Sequence, residues 1–296
     1  MKPGASTGHG YLSDLAAALA AIEGGDDAGA RGLLDRAAQR GSLMGKSLGD
    51  VLRRGDARNA YDEPRAFETF VRGGGNVPLY ASVSSELARQ YDALRPDTLL
   101  DIGAGDGMAL VPAVAASESA PGRIDVVEPN EGLLSTLRAS LPSARAHRQT
   151  LERFVAGMGD SDRWNLAQAT FALQSIEPKA RGNALATLAG HVDRLLIVEF
   201  DVPRLMPGTA EHYESLADRY ERAASEYGGD AELVAGGFLA PMLLGQLRSI
   251  VPSNYEQPAE AWAAELQEAG YRVTAQSDVH EYSWSMAFCM TAVPRD

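Results

Sequence analysis

Acidic side chains and closely spaced glycines occur together in the stretch LLDIGAGDG, where an apolar run ends. Asp101 precedes the turn, and Asp106 lies within it. Gly103, Gly105 and Gly107 alternate along the turn. Such glycines let a ligand approach the backbone, and a helix that begins after them offers free N–H groups. The pattern therefore predicts a strand, a turn and a helix that together bind a nucleotide-bearing cofactor.

The spacing of these glycines bears on which cofactor binds. The dinucleotide fingerprint is G-x-G-x-x-G, and here Met108 stands in place of the third glycine. Carboxylates at Asp101 and Asp106 are unfavourable beside a pyrophosphate, but they suit a cofactor with a cationic amino group and no phosphate. A nicotinamide-dependent oxidoreductase remains one alternative. A non-catalytic ligand-binding relative of the same fold is another.

A second acidic motif, VVEPNEGLL, follows the first, and Glu128 ends its apolar run. Together the two motifs resemble class I S-adenosylmethionine-dependent methyltransferases, of the small-molecule type that acts in actinobacterial natural-product biosynthesis. The resemblance implies an α/β fold with a Rossmann-like sheet, mostly parallel and with an antiparallel last strand. It also implies S-adenosylmethionine as the cofactor.

The resemblance assigns cofactor contacts to the ends of successive strands. It implies that Asp101 acts on the amino group of the cofactor and that Glu128 binds both ribose hydroxyls. The other positions that it implies for the cofactor are Gly103, Gly105, Pro129, Asn130, Thr150, Leu151 and Gln168.

Three consecutive glycines, residues 73–75, follow an apparent helix upstream. Small-molecule methyltransferases often use a segment in this place as a lid, which implies that Arg72 meets the cofactor carboxylate and Tyr80 closes over the sulfonium. A helix stop, with Tyr80 packed in the core, is the alternative. The stretch is also similar to enzymes that methylate the indole carbon of cyclodipeptides, so that carbon is one candidate acceptor among C-, N- and O-nucleophiles.

Candidate catalytic residues lie in the segment AEHYESL, after the fifth predicted strand. In a doubly wound fold the substrate binds beyond the carboxyl ends of the strands. His212 is the predicted general base because it titrates near neutrality, with Glu211 and Tyr213 beside it. A solvated surface histidine is the alternative interpretation.

Several aromatic residues could form a wall for a flat acceptor, although aromatic residues also commonly fill cores. The predicted substrate contacts are Phe171, Gln174, Phe238, Tyr282 and Trp284. No acid pair follows the fourth and fifth strands in the way that metal-dependent catechol chemistry needs, so we expect no metal.

Helical patterns precede the sheet, which predicts a helical N-terminal section over residues 1–92 and a methyltransferase domain over 93–296. The domain contains strands alternating with helices, as in a parallel sheet covered on both faces. RVTAQSDVHEY and SMAFCMTAVP predict an antiparallel pair at one sheet edge. A helical cap is predicted at about 203–257, and the N-terminal section is either a lid or a homodimer interface.

Charge and composition limit the partners. The chain has 27 basic and 40 acidic residues and a formal net charge of −13, which argues against nucleic acid as a partner. No apolar stretch approaches the roughly 20 residues of a membrane span. A single cysteine, Cys289, favours a reducing cytoplasm. We therefore expect a cytoplasmic enzyme that acts on a small molecule.

Overall fold

The computed structural model describes residues 10–55, 62–249 and 254–295. Within these ranges the chain divides into two compact units. The first, called the helical unit, contains the described residues up to 77 together with 204–249. The second, called the sheet unit, contains 78–203 and 254–295. The helices that open the chain and those that follow the fifth strand therefore pack as one body.

Helices and strands alternate through the middle of the chain. In chain order the described helices are α1 (Leu12–Glu23), α2 (Asp27–Gln39), α3 (Leu43–Arg54), α4 (Pro64–Arg72), α5 (Asn76–Leu94), α6 (Leu110–Ala116), α7 (Glu131–Ser140), α8 (Leu151–Ala156), α9 (Pro178–Ala189), α10 (Ala210–Ser225), α11 (Ala231–Val234), α12 (Ala240–Arg248) and α13 (Ala259–Glu268). The described strands are β1 (Thr98–Ile102), β2 (Arg123–Val127), β3 (Arg145–His147), β4 (Leu166–Thr170), β5 (Leu195–Phe200), β6 (Tyr271–Glu281) and β7 (Met286–Pro294).

The helical unit joins segments that are far apart in the sequence. Leu15, Leu19 and Ile22 lie on the buried face of α1, at the spacing of an amphipathic helix. The buried carboxylate of Glu221, on α10, accepts hydrogen bonds from the backbone N–H groups of Leu43 (3.2 Å) and Met44 (2.9 Å). These N–H groups belong to the first turn of α3 and have no partner within the helix. A residue after the fifth strand thus caps an N-terminal helix.

The sheet unit has seven strands in the order β3-β2-β1-β4-β5-β7-β6. The first five are parallel, and β7 pairs antiparallel with both β5 and β6. This arrangement confirms the predicted Rossmann-like fold with its antiparallel last strand. The strand order reverses between β1 and β4, so a crevice opens at the carboxyl ends of these two strands.

Two apolar layers cover the sheet because its central strands are apolar on both faces. Leu195 and Ile197 pack toward α8, α9 and α13, whereas Leu196 and Val198 pack toward α5, α6 and α7. Polar side chains are also buried in the central strands, at Asp101, Gln168 and Glu199. None of the helices described here is long and apolar enough to cross a membrane.

Candidate functional site

The carboxyl ends of β1, β2 and β4 border a cavity of about 560 Å³ in the sheet unit. This volume lies within the range of small-molecule sites. Ile102, Val127 and Thr170, the last residues of the three strands, contribute to its lining. Eight of the predicted site residues also line it: Tyr80, Gly103, Gly105, Glu128, Pro129, Thr150, Leu151 and Phe171.

The glycine turn adopts a backbone that other residues rarely take. Gly103 and Gly105 have φ angles of 66° and 57°, in the left-handed region. A Cβ added at Gly103 would lie 2.4 Å from the Cβ of Ala172, so a close packing contact requires this glycine. A Cβ added at Gly105 would meet nothing within 4 Å, because this position faces the open cavity.

Glu128 joins the turn to the second motif. Its carboxylate is buried; Oε2 accepts a hydrogen bond from the backbone N–H of Gly105 (3.0 Å), and Oε1 accepts one from that of Asn130 (2.8 Å). Asn130 in turn caps α7, with its side-chain oxygen 3.1 Å from the nitrogen of Leu133. A carboxylate oxygen can accept two hydrogen bonds, so both oxygens of Glu128 retain acceptor capacity toward the cavity.

Asp101 and Gln168 are register partners on β1 and β4; Asp101 comes one residue before Ile102, and Gln168 two residues before Thr170, the strand ends that line the cavity. Gln168 accepts a hydrogen bond from the hydroxyl of Tyr91, on α5, at 2.6 Å. Burial raises the pKa of Asp101 to about 7, and the charge of Glu128 raises it as well. At neutral pH this carboxyl is therefore close to its titration midpoint.

An aromatic stack extends from the cavity across the end of the sheet. Phe171 and Phe200 lie face to face, with ring centroids 4.3 Å apart and planes 7° apart. Tyr282 stacks on Phe200 at 5.5 Å, and Tyr80 meets Phe171 edge-on at 6.0 Å. Phe171 has a φ of 51°, a strained conformation for a residue with a side chain.

The other predicted substrate residues of the sheet unit lie close to this stack in the sequence. Gln174 belongs to a 3-10 turn, Leu173–Ser175, that directly follows Phe171 and Ala172. The indole N–H of Trp284 donates to the carboxylate of Glu256 at 2.9 Å.

Five predicted site residues belong to the helical unit, and their roles stay predictions: Arg72, Glu211, His212, Tyr213 and Phe238. Arg72 ends α4, and Phe238 stacks on Phe70 at 4.3 Å. Glu211 is exposed. The hydroxyl of Tyr213 donates to Glu23. Burial lowers the pKa of His212, as does the charge of Arg219, while the charge of Glu23 raises it.

Sequence reasoning missed several residues around the cavity. Those in its lining are Ile102, Val127, Leu133, Gln149, Glu152, Thr170, Ala172, Ile176 and Glu177. Many of them end a strand or follow it directly, so the predicted strand ends carried a usable signal. Phe200 and Tyr91 were missed for a different reason. Each reaches the site through a partner on another element, and nothing in the local sequence indicates that contact.

Comparison with solved structures identifies similar folds at low sequence identity. Magnesium protoporphyrin IX methyltransferase (ChlM) from Synechocystis PCC 6803, solved with bound SAH, has a TM-score of 0.51 and 13% identity, over 80% of this chain and 96% of its own. The mitomycin 7-O-methyltransferase MmcR has a TM-score of 0.51 and 16% identity, over 90% of this chain and 72% of its own. The pyocyanin biosynthetic protein PhzM has a TM-score of 0.53 and 15% identity, over 85% of this chain and 66% of its own.

These similarities confirm the methyltransferase fold that the two motifs predicted. No family model matches the chain, and no curated protein matches its sequence.

Proposed function

We propose that this protein transfers the methyl group of S-adenosylmethionine to a small, flat aromatic acceptor. The observation that carries the proposal is the pairing of Glu128 with Gly105 at the edge of the cavity. It sets an acidic acceptor beside an unobstructed glycine, at the switch point where doubly wound folds bind their ligands.

The residues that line the cavity fit this cofactor. The two free acceptor positions of Glu128 suit a pair of neighbouring hydroxyls, as on a ribose. Asp101 supplies a carboxylate for an ammonium group, and the open space at Gly105 leaves room for the methionine chain. Thr150 and Leu151, which line the same cavity, are the proposed contacts for the adenine.

The same arrangement disfavours a dinucleotide. A pyrophosphate at a glycine turn needs the backbone N–H groups of that turn as donors. Here the N–H of Gly105 already donates to the carboxylate of Glu128, which also adds negative charge. A pyrophosphate at this turn would therefore lack the N–H of Gly105 as a donor.

The bound cofactor would supply an electrophilic methyl group on a sulfonium, and the protein would mainly align the acceptor. Phe171 offers a rigid ring backed by Phe200, against which a flat acceptor can stack. Holding the nucleophile in line in this way lowers the barrier through proximity. The strained backbone of Phe171 supports a positioning role, because such strain clusters at functional sites.

Transfer to an acceptor that carries a proton also needs a base to remove that proton. Tyr80 is unsuited to it, because burial and the charge of Asp106 raise its pKa to about 12. His212 stays the proposed base because its lowered pKa keeps the imidazole neutral, as a base requires.

The acceptor atom is carbon, nitrogen or oxygen, and an indole carbon of a cyclodipeptide remains one candidate. An acceptor from natural-product metabolism is supported by the similar folds of the mitomycin and pyocyanin proteins. We also propose a cytoplasmic enzyme, and that the N-terminal helices act as a lid or a homodimer interface.

Calorimetric titration tests this function. We expect S-adenosylhomocysteine to bind, and we expect a parallel titration with NADH to show no heat of binding. Glu128→Ala should lose most of the binding, whereas Asp125→Asn should keep it. Asp125 is a matched control because it is a buried carboxylate on β2, three residues before Glu128, and it lies outside the lining of this cavity.

Binding of NADH alone would contradict the proposal. A panel of flat aromatic amines, phenols and indoles, incubated with S-adenosylmethionine, then tests for methyl transfer by mass spectrometry. Cofactor binding without transfer to any of them would favour a non-catalytic relative.

A further inference from the structure

One wall of the cavity is a turn that side chains outside the cavity hold in place. Residues 171–176, called the β4 turn, follow β4 directly. Phe171, Ala172, Ser175 and Ile176 line the cavity. The left-handed backbone of Phe171 is strained, and such a conformation persists only where surrounding contacts enforce it. The contacts that hold the β4 turn therefore shape the cavity.

Glu199, on β5, holds the start of the β4 turn. Its side chain is fully buried, and Oε1 accepts hydrogen bonds from the backbone N–H groups of Leu173 (2.9 Å) and Gln174 (3.4 Å). Oε2 is buried without a hydrogen-bond partner in the part of the chain that the structure describes. Burial raises the pKa of this carboxyl to about 8, although both backbone hydrogen bonds lower it. At pH 7 Glu199 is thus mostly protonated.

Arg181, on α9, holds the other end. Its fully buried guanidinium donates from Nη1 to the carbonyl oxygens of Leu173 (2.9 Å) and Ile176 (3.4 Å). Glu265 accepts from its Nε and Nη2 at 2.6 Å each. The guanidinium carbon lies 4.2 Å from the ring centroid of Trp262. The ion pair and the stacking fix the guanidinium, so its third nitrogen can anchor the turn.

We propose that Glu199 and Arg181 are positioning residues for the cavity. Arg181 anchors the end of the β4 turn, and Glu199 anchors its start as a neutral carboxylic acid. Ionisation of Glu199 releases the turn. This role rests on the proposed function: protonation of Glu199 would control the position of the β4 turn, which lines the proposed cofactor and acceptor site.

The charged groups around Glu199 explain why ionisation would have this effect. Arg181 faces it from α9 and Glu256 from the segment before α13, and their charges shift its pKa in opposite directions. Glu265, on α13, already neutralises Arg181. An ionised Glu199 would therefore be a buried charge that has the two backbone N–H groups of the turn as donors to Oε1 but no cation of its own and no described donor at Oε2, which is unfavourable.

Two movements would relieve that charge. Water can reach Oε2 if the β4 turn opens, or Nη1 of Arg181 can leave the carbonyls of Leu173 and Ile176 for the carboxylate. Either movement removes a contact that holds the turn. Ala172 packs against Gly103 of the glycine turn, and Phe171 begins the aromatic stack. The proposed cofactor site and the proposed acceptor site therefore both depend on the β4 turn.

Hydrogen exchange of the ligand-free protein tests the proposal directly. Backbone exchange of the β4 turn is followed from about pH 6 to about pH 9.5, a range that spans the titration, and is corrected for the intrinsic rate of an unfolded peptide. In the wild type we expect protection of Leu173 and Gln174 at low pH and its loss above pH 8. Glu199→Gln keeps a carbonyl acceptor and has no proton to lose, so its protection should not change with pH.

Calorimetry with S-adenosylhomocysteine provides a second readout over the same pH range. The wild-type affinity should fall at least about tenfold as Glu199 ionises, because a cavity wall is lost. Glu199→Gln should show no such fall, and Glu199→Ala should bind weakly at every pH. Asp125→Asn, a change to a buried carboxylate outside this network, should keep the wild-type profile.

The same exchange profile in the wild type and in Glu199→Gln would overturn the proposal, as would full protection of the turn in Glu199→Ala. If Glu199→Ala does not fold, the comparison of the wild type with Glu199→Gln decides. If S-adenosylhomocysteine does not bind at all, the proposed function fails, and the exchange data still decide the role of Glu199.

Discussion

Glu128 is the side chain whose removal most directly tests cofactor binding. Both of its oxygens accept backbone N–H groups, and each retains one acceptor position for a ligand hydroxyl. We expect Glu128→Ala to weaken S-adenosylhomocysteine binding by about 2 kcal/mol, roughly thirtyfold, because it leaves buried hydroxyls without acceptors. Calorimetry at constant pH measures the change. An unaltered dissociation constant, with the variant folded by circular dichroism, would remove Glu128 from the site.

Asp101, as the proposed partner of the amino group of the cofactor, should make cofactor binding depend on pH. Its carboxyl has a pKa of about 7 in the ligand-free protein, mainly because it is buried. An ammonium partner favours the ionised form, so binding must release the proton. As the pH rises toward 7, ionisation of Asp101 should therefore raise the affinity by about tenfold per pH unit, and above pH 7 this contribution of Asp101 should level off.

Calorimetry in buffers of different ionisation enthalpy counts the released proton. Asp101→Asn should release none and should bind with an affinity that no longer rises with pH. Proton uptake on binding in the wild type would exclude an ionised Asp101 from the complex.

At the scale of elements, the glycine turn offers a matched pair of substitutions. Gly103→Ala combines a left-handed backbone with a clash against Ala172, whereas Gly105→Ala has the same backbone strain and open space around its Cβ. Left-handed strain costs about 1–2 kcal/mol in each variant. Gly103→Ala should therefore lose more stability, whereas Gly105→Ala should lose ligand affinity because its methyl group enters the cavity. Urea unfolding and calorimetry separate the two effects, and equal stability losses would contradict the packing contact.

The Arg181–Glu265 pair is the second test at this scale. Arg181→Met leaves Glu265 without its charged partner, and the free energy of unfolding should fall by about 3–5 kcal/mol. The double variant Arg181→Met/Glu265→Met should recover part of that loss, because it leaves no unpaired charge. A double-mutant cycle by urea denaturation measures the coupling. Additive losses would show that the pair does not act as a unit.

The sequence predicted those elements whose signal is local. The alternation of apolar strands with helices indicated the seven strands, and the glycine spacing placed Gly103 and Gly105 at the cavity. The network around Glu199 carried no such signal. Arg181 precedes Glu265 by 84 residues, and only the folded sheet brings the two together. Local patterns locate the ends of strands, but they do not indicate which buried charges meet.

At the scale of the whole molecule, local sequence patterns likewise do not indicate which distant segments pack together in each of the two units. Helical periodicity predicted both the N-terminal helices and the helices after the fifth strand. It did not predict that Glu221 caps α3, because an amphipathic face shows that a helix is buried and not what covers it. Long-range pairing of this kind decides which segments form the helical unit.

Asp101 and Glu199, two of the buried carboxyls of the sheet unit, make the stability of the protein depend on pH. Burial raises the pKa of Glu199 from 4.5 to about 8 and that of Asp101 from 3.8 to about 7. Between these limits the folded chain holds protons that the unfolded chain has released. Each carboxyl therefore contributes a stability that is fully present below its unfolded pKa and is lost as the pH rises to its folded pKa.

The free energy of unfolding should accordingly fall by about 1.4 kcal/mol per pH unit for each carboxyl within its window. Both carboxyls contribute to the slope between pH 5 and 7, and only Glu199 contributes between 7 and 8. Asp101→Asn should remove the part of the slope below pH 7, whereas Glu199→Gln should remove the part that extends to pH 8. Guanidinium unfolding at four pH values measures both slopes. A Glu199→Gln protein that still loses stability between pH 7 and 8 as the wild type does would show that Glu199 is ionised in the folded state, and the neutral acid that anchors the β4 turn would then be excluded.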